Sequence, residues 1–157
     1  MKVLLAGGGT GGHINPALAI ASIIKQHEPS AEFLFVGTPN GMEARLVPQA
    51  GYRMETMHVA GFQRKLSWKN IRRNCKAAYY LATSQHRAKQ ILKQFQPDIA
   101  IGTGGYVAGP ILHAAAHMGI PCAIHEQNAF PGVTNKMLAK EVDHVMLTVE
   151  KALDYLH

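Results

Sequence analysis

From Ala6 to Pro16 the chain reads AlaGlyGlyGlyThrGlyGlyHisIleAsnPro, five glycines with a threonine and a histidine, directly behind the apolar run Val3 to Ala6. Glycines lack Cβ atoms, so such a stretch can turn sharply and bring several backbone N–H groups against an oxyanion. Asn15 is expected as the N-cap of the following helix and Pro16 as its first residue, which would aim the loop along the positive end of a helix dipole, where diphosphate is favoured. His13 closes this cradle. An imidazole titrates near neutrality and can accept a proton from a hydroxyl, donate to a phosphate oxygen, or simply orient the loop. A second glycine-rich stretch, GlyThrGlyGlyTyrValAlaGlyPro, spans residues 102–110, and a polar, turn-forming one, HisGluGlnAsnAlaPheProGly, spans 125–132. In the latter, Glu126 is either a base or a carboxylate that orders its own loop. His113 and His117 stand one helical turn apart, but Ala114 sits where a zinc-protease helix carries its acid and no third ligand is legible. They are read as a polar helix face, and no metal is expected. Cys75 and Cys122 have no ligand spacing and are read as reduced and structural.

Chemistry of this kind needs elements to hold it. Strands are expected at Lys2 to Ala6, Glu32 to Val36, Arg53 to Val59, Asp98 to Gly102, Cys122 to His125 and His144 to Leu147. Helices are expected from Pro16 to His27, Met42 to Ala50, Trp68 to Phe95 (stopped before Pro97), Pro110 to Met118 (with Gly119 as C′), Val133 to Lys140, and onward from Glu150. Alternation of strand and helix implies a parallel sheet covered on both faces. Ligands of such sheets bind beyond the carboxyl ends of the strands, and all three loops fall there. Two oxyanion loops at one sheet edge point to a phosphorylated ligand more strongly than either alone.

The chain has 157 residues, 47% apolar and 17% charged, which suits one globular domain. Its apolar runs are too short to span a bilayer, and Met1 and Lys2 lead into a strand without a secretory segment, so a cytoplasmic location is expected. The spacing Gly7, Gly9, Gly12 satisfies a dinucleotide fingerprint, but the second strand ends Val36-Gly37-Thr38-Pro39 with no carboxylate until Glu43, which disfavours a nicotinamide cofactor. Neither loop carries the Gly-Lys-Ser or Gly-Lys-Thr of a Walker motif. Residues 56–97 hold nine Lys or Arg and no Asp or Glu, while the remainder holds seven bases against ten acids, so the formal +6 is a local patch. Arg64, Lys65, Lys69, Arg72, Arg73 and Lys76 interleave with Leu66 and Trp68, a mixture suited to anionic headgroups with apolar insertion. The alternative is an amphipathic helix whose Trp68, Ile71, Cys75 and Ala78 face a core. Nucleic acid is disfavoured because no base-reading motif is present.

Four segments, in order, carry a family resemblance: GGGTGGHINPALAIA from Gly7, GMEARLVPQAGY from Gly41, TGGYVAGP from Thr103 and HEQNAFPGVTNK from His125. They resemble the amino-terminal half of the MurG family, bacterial transferases that add N-acetylglucosamine to a lipid-linked muramyl-pentapeptide to make lipid II. The resemblance implies an α/β fold, a Rossmann-like parallel sheet with helices on both faces, forming the amino-terminal half of a GT-B glycosyltransferase. It makes residues 1–157 one acceptor-binding domain. Thr10, Gly11, Gly12 and Asn128 match positions that touch the donor, UDP-GlcNAc. Gly9, Gly12, His13, Gly104, Gly105 and Tyr106 match the loops assigned to the diphosphate of the acceptor, lipid I (undecaprenyl-diphosphate-MurNAc-pentapeptide).

The implied mechanism is a single inverting displacement in which the muramyl 4-hydroxyl attacks the donor's anomeric carbon and His13 or Glu126 accepts its proton. No cofactor is implied. The basic segment matches the region expected to rest on the inner face of the plasma membrane. Chains of the family are roughly twice as long, with most of the donor pocket in a carboxyl-terminal domain, so this chain alone is expected to bind acceptor or membrane weakly without turnover. The alternative is a lipid-diphosphate-binding subunit that pairs with a separate donor-binding chain; whether the gene continues in frame past His157 separates the two.

Overall fold

A computed structural model describes residues 1–59 and 83–156. The elements in chain order are β1 (Lys2–Gly7), α1 (Gly11–His27), β2 (Glu32–Gly37), α2 (Glu43–Gln49), β3 (Arg53–Thr56), α3 (83–95), β4 (Ile99–Gly104), α4 (Ala108–His117), β5 (Cys122–Glu126), α5 (Val133–Leu138) and β6 (His144–Leu147), followed by a 3-10 turn (Glu150–Tyr155). The six strands form one parallel sheet in the order β3-β2-β1-β4-β5-β6. After β3 the chain returns to the middle of the sheet and lays β4 beside β1. The strand order therefore reverses there, and the crevice at the carboxyl ends of β1 and β4 is a topological switch point.

Strand side chains alternate between faces, and both faces are covered, so the middles of the central strands are apolar on both sides, and polar residues such as Lys2, Thr103 and Glu126 fall at or near strand ends. In β1, Val3 and Leu5 join Phe33, Phe35 and Ile101 beneath Ile14, Ala17 and Ala21 of α1 and Val47 of α2. Leu4 and Ala6 point the other way, with Leu34, Val36, Ala100 and Ile124, toward Ile91 and Leu92 of α3, Ile111 and Leu112 of α4 and Leu138 of α5. Fully burying a leucine or isoleucine contributes about 1.5–3 kcal/mol. The two layers are thus the main source of stability for the sheet that carries the loops.

Most expected elements are present, with corrections at their ends. α1 does not begin at Asn15 and Pro16. Thr10, in extended conformation, is its N-cap, and the Thr10 carbonyl accepts from the N–H groups of both His13 and Ile14. The glycines themselves form the first turn, and Pro16 is accommodated inside the helix, where it forgoes only the N–H that Gly12 would have received. β3 ends at Thr56 instead of Val59, and the closing segment is 3-10 rather than α-helical. β4 and β5 run further than expected, to Gly104 and Glu126, so each polar loop starts inside its strand. Gly119 takes a φ of 70° after α4, as a C′ residue does, and Gln96 takes 52° where α3 stops before Pro97. The amino-terminal part of the long helix expected from Trp68 lies outside the described residues.

Candidate active site

The two glycine loops interlock. Gly7 pairs with Gly104 across β1 and β4, the Gly8 N–H reaches the Gly104 carbonyl at 3.4 Å, and the Thr103 hydroxyl donates to the His13 carbonyl at 2.8 Å. Such an approach tolerates no side chain at Gly105, where a Cβ would stand 2.4 Å from the Gly8 carbonyl oxygen and φ is +83°. Gly104, at φ +111°, lies so close under the His13 ring that a Cβ there would fall 2.9 Å from Nε2.

His13 is held by this packing and by one directional bond. Its Nδ1 lies 3.0 Å from the Gly8 carbonyl oxygen, which can only accept, so Nδ1 carries the proton. The remaining nitrogen, Nε2, then presents a lone pair beside the second loop, the tautomer a general base requires. The Thr10 hydroxyl stands 3.4 Å from the same Nδ1.

Two buried carboxylates brace the loops from below. Glu43, 1% exposed, accepts from the Gly9 N–H at 3.0 Å, the Thr38 N–H at 2.8 Å and the Thr38 hydroxyl at 2.7 Å. Glu126, 2% exposed, accepts from the Asn128 N–H at 2.9 Å, the Asn128 side chain at 3.0 Å, the Gly132 N–H at 3.3 Å and the Asn135 side chain at 2.8 Å. Burial pushes both carboxyls up, but the hydrogen bonds outweigh it and hold each below the ordinary carboxylate value. Of the two roles open to Glu126, the geometry favours ordering the loop: both oxygens are occupied by donors and the group is a weak base. Burial also pushes the neighbouring His125 down; its Nδ1 meets the Gln127 side-chain nitrogen at 3.1 Å and its Nε2 the Thr148 hydroxyl at 3.0 Å.

Above these groups lies a cavity of about 570 Å³ whose lining includes Gly9, Thr10, His13, Gly104, Gly105, Tyr106, Glu126 and Asn128. Gly11 and Gly12 are not among its lining residues; they form the first turn of α1, between Thr10 and His13, where N–H groups have no intrahelical acceptor. Gly9 contributes shape, with φ +89°, and its N–H is engaged by Glu43, not free for an anion. Tyr106 is exposed at the rim, as is Phe130. Asn135 also lines the cavity, and its buried Oδ1 has no hydrogen-bond partner among the described residues.

The three loops expected from the sequence do meet at one cavity, while Glu43, Thr103 and Asn135, the groups that fix them, carry no comparable local signal. Glu43 left one trace, glycines at 37 and 41 shortly before the first carboxylate after β2. At both of these, and at Gly8, a Cβ would collide with the Glu43 side chain. Its engagement beneath the loop also removes it as a ribose-binding acid, in keeping with the case against a dinucleotide. His113 and His117 do lie on one helix face, and the fold brings Glu141, which sequence spacing could not show, beside them. Cys122 is free and buried, which pushes its thiol up. Arg64, Lys65, Leu66, Trp68, Lys69, Arg72, Arg73 and Lys76, the expected membrane patch, lie outside the described residues. No helix among the described residues is long and apolar enough to cross a membrane.

A switch-point crevice with two interlocked glycine loops, in a doubly covered sheet of this order, defines the amino-terminal Rossmann-like half of a GT-B glycosyltransferase. Residues 3–147 match the glycosyltransferase family 28 N-terminal domain, and the chain belongs to that family. It is 54% identical over 155 residues to the UDP-N-acetylglucosamine–N-acetylmuramyl-(pentapeptide) pyrophosphoryl-undecaprenol N-acetylglucosamine transferase of Ruminiclostridium cellulolyticum, covering 99% of this chain and 42% of that protein. The enzyme of the same name from Limosilactobacillus fermentum is 51% identical over 152 residues, covering 97% of this chain and 40% of that protein. The chain therefore spans about two fifths of the length of the curated relatives it matches. The crystal structure of Acinetobacter baumannii MurG superposes with a TM-score of 0.78 at 34% identity, over 93% of this chain and 40% of that one. A UDP-GlcNAc 2-epimerase from Neisseria meningitidis, 14% identical with a TM-score of 0.69, shares the fold over 99% of this chain and 42% of its own.

Proposed function

We propose that this chain is the acceptor-binding part of a transferase that moves N-acetylglucosamine from UDP-GlcNAc to the muramyl 4-hydroxyl of undecaprenyl-diphosphate-MurNAc-pentapeptide, converting lipid I to lipid II. The observation that carries the reading is His13, its proton fixed on Nδ1 by the Gly8 carbonyl and its Nε2, close against Gly104, without a hydrogen-bond partner among the described residues. In the reaction, Nε2 takes the hydroxyl proton as the oxygen bonds to the anomeric carbon and the bond to UDP breaks with inversion. His13 is the proton acceptor, and Glu126 holds the loop that carries Asn128. The first-turn N–H of Gly12, with the loop at Gly104, Gly105 and Tyr106, receives the acceptor's diphosphate. Thr10, Gly11, Gly12 and the Asn128 Oδ1 form the edge of the donor site. Residues 1–157 act as one domain, and the main donor contacts come from a carboxyl-terminal domain of the parent protein. The basic, aromatic segment at 62–76 rests on the cytoplasmic face of an anionic membrane.

The test is an NMR shift map with a soluble lipid-diphosphate muramyl-peptide analogue, and UDP-GlcNAc in parallel. The acceptor analogue is expected to perturb Gly9 to His13 and Gly104 to Tyr106, with weaker donor shifts. Shifts at neither loop with the acceptor analogue would sink the proposal.

A further inference from the structure

On the far side of the molecule from the cavity, His113, His117 and Glu141 each offer one ligand atom within 4.8 Å of the others. We infer that these three residues form a binding site for zinc or a similar borderline divalent ion, separate from the transfer site. The two histidines are one turn apart at the carboxyl end of α4, whose amino end opens beside the cavity, so the helix itself sets the two sites apart. Glu141 comes from the turn after α5.

The tautomers suit the purpose. His117 Nδ1 lies 2.9 Å from the His113 carbonyl, which can only accept, so the proton is on Nδ1 and the Nε2 lone pair is free. A hydrogen bond from the non-ligating ring nitrogen to a carbonyl is the usual way a metal-binding histidine is oriented. His113 Nδ1 lies 2.6 Å from Glu141 Oε2, and the two imidazole centroids are 4.2 Å apart. A proton shared by an imidazole and a carboxylate occupies the place a cation would take. Two nitrogens and one carboxylate oxygen make a donor set for zinc, with water completing the tetrahedron. Tetrahedral ligand atoms stand roughly 3.3 Å apart at zinc bond lengths. The side chains of His113 and Glu141 are 43% and 32% exposed, leaving them room to close that difference. The bound ion would tie α4 to the turn after α5.

Chelator-treated protein should be titrated with zinc by calorimetry and with Co²⁺ by visible absorption. The expected result is about one equivalent of saturable zinc, cobalt bands of low coordination number, and a chelator-reversible rise in Tm. H117A and E141Q should each weaken binding roughly tenfold or more, and H27A, at the end of α1, should bind as the parent does. No saturation up to millimolar zinc would overturn the inference, as would binding that H117A and E141Q both leave intact. Both substitutions are at exposed positions, and circular dichroism reports whether each variant keeps its fold.

Discussion

Two glycines with the same kind of backbone have different jobs, and substitution separates them. Gly9 and Gly105 both have positive φ, but a Cβ at Gly9 meets nothing within 4 Å, while one at Gly105 strikes the Gly8 carbonyl. G9A should cost about 1–2 kcal/mol, the backbone penalty alone. G105A should cost clearly more and abolish ligand shifts at both loops; equal urea midpoints for the two variants would contradict the interlocked geometry. E43A should orphan the Gly9 and Thr38 donors, at about 1–3 kcal/mol for each one left unpaired. Denaturation in urea reads that loss, and hydrogen exchange at Gly9 and Thr38 should quicken with it. His13 was legible from its place at the end of a glycine run. That its proton sits on Nδ1 was not, because the Gly8 carbonyl that fixes it is aimed only once the loop is folded.

At the level of elements, the strands were legible because both faces of a parallel sheet are buried, which leaves short unbroken apolar runs. The ends were less so. Asn15 and Pro16 have the residue types of a helix start, yet α1 begins earlier, since glycines with no side chains to place can enter helical conformation directly after Thr10. Each layer should be needed. Ile14 on one face and Ile111 on the other are fully buried, and I14A and I111A should each destabilise by about 2–5 kcal/mol. A loss below 1 kcal/mol in either, by urea unfolding, would mean that helix is not packed as described.

For the whole molecule, Glu43 and Glu126 tie loops from opposite sides of the switch point to the sheet, and both carboxyls lie below their ordinary 4.5. Depressed folded values mean their contribution is complete at neutral pH. It declines once pH falls to where unfolded carboxyls titrate, near 4.5, and is lost as pH drops through the lower folded values. Thermal unfolding followed from pH 7 to pH 3 should show Tm falling below that point, and an E43Q/E126Q double variant should show a flatter acid limb. An unchanged limb in the double variant would remove these carboxylates from the acid response.

Chain order and residue type alone determined the parallel α/β class, the three loops and the place of His13 at the end of the first glycine run, because alternation, glycine runs and apolar runs are local signals. Tertiary structure decided what no local signal carries. Glu43 meets Gly9 across 34 positions, Thr103 meets the His13 carbonyl across 90, and Glu141 meets His113 across 28. Such partners are chosen by the crossing of the chain from β3 to β4 and by the packing of helices on two faces. Only the folded sheet brings those distant donors and acceptors within hydrogen-bonding reach.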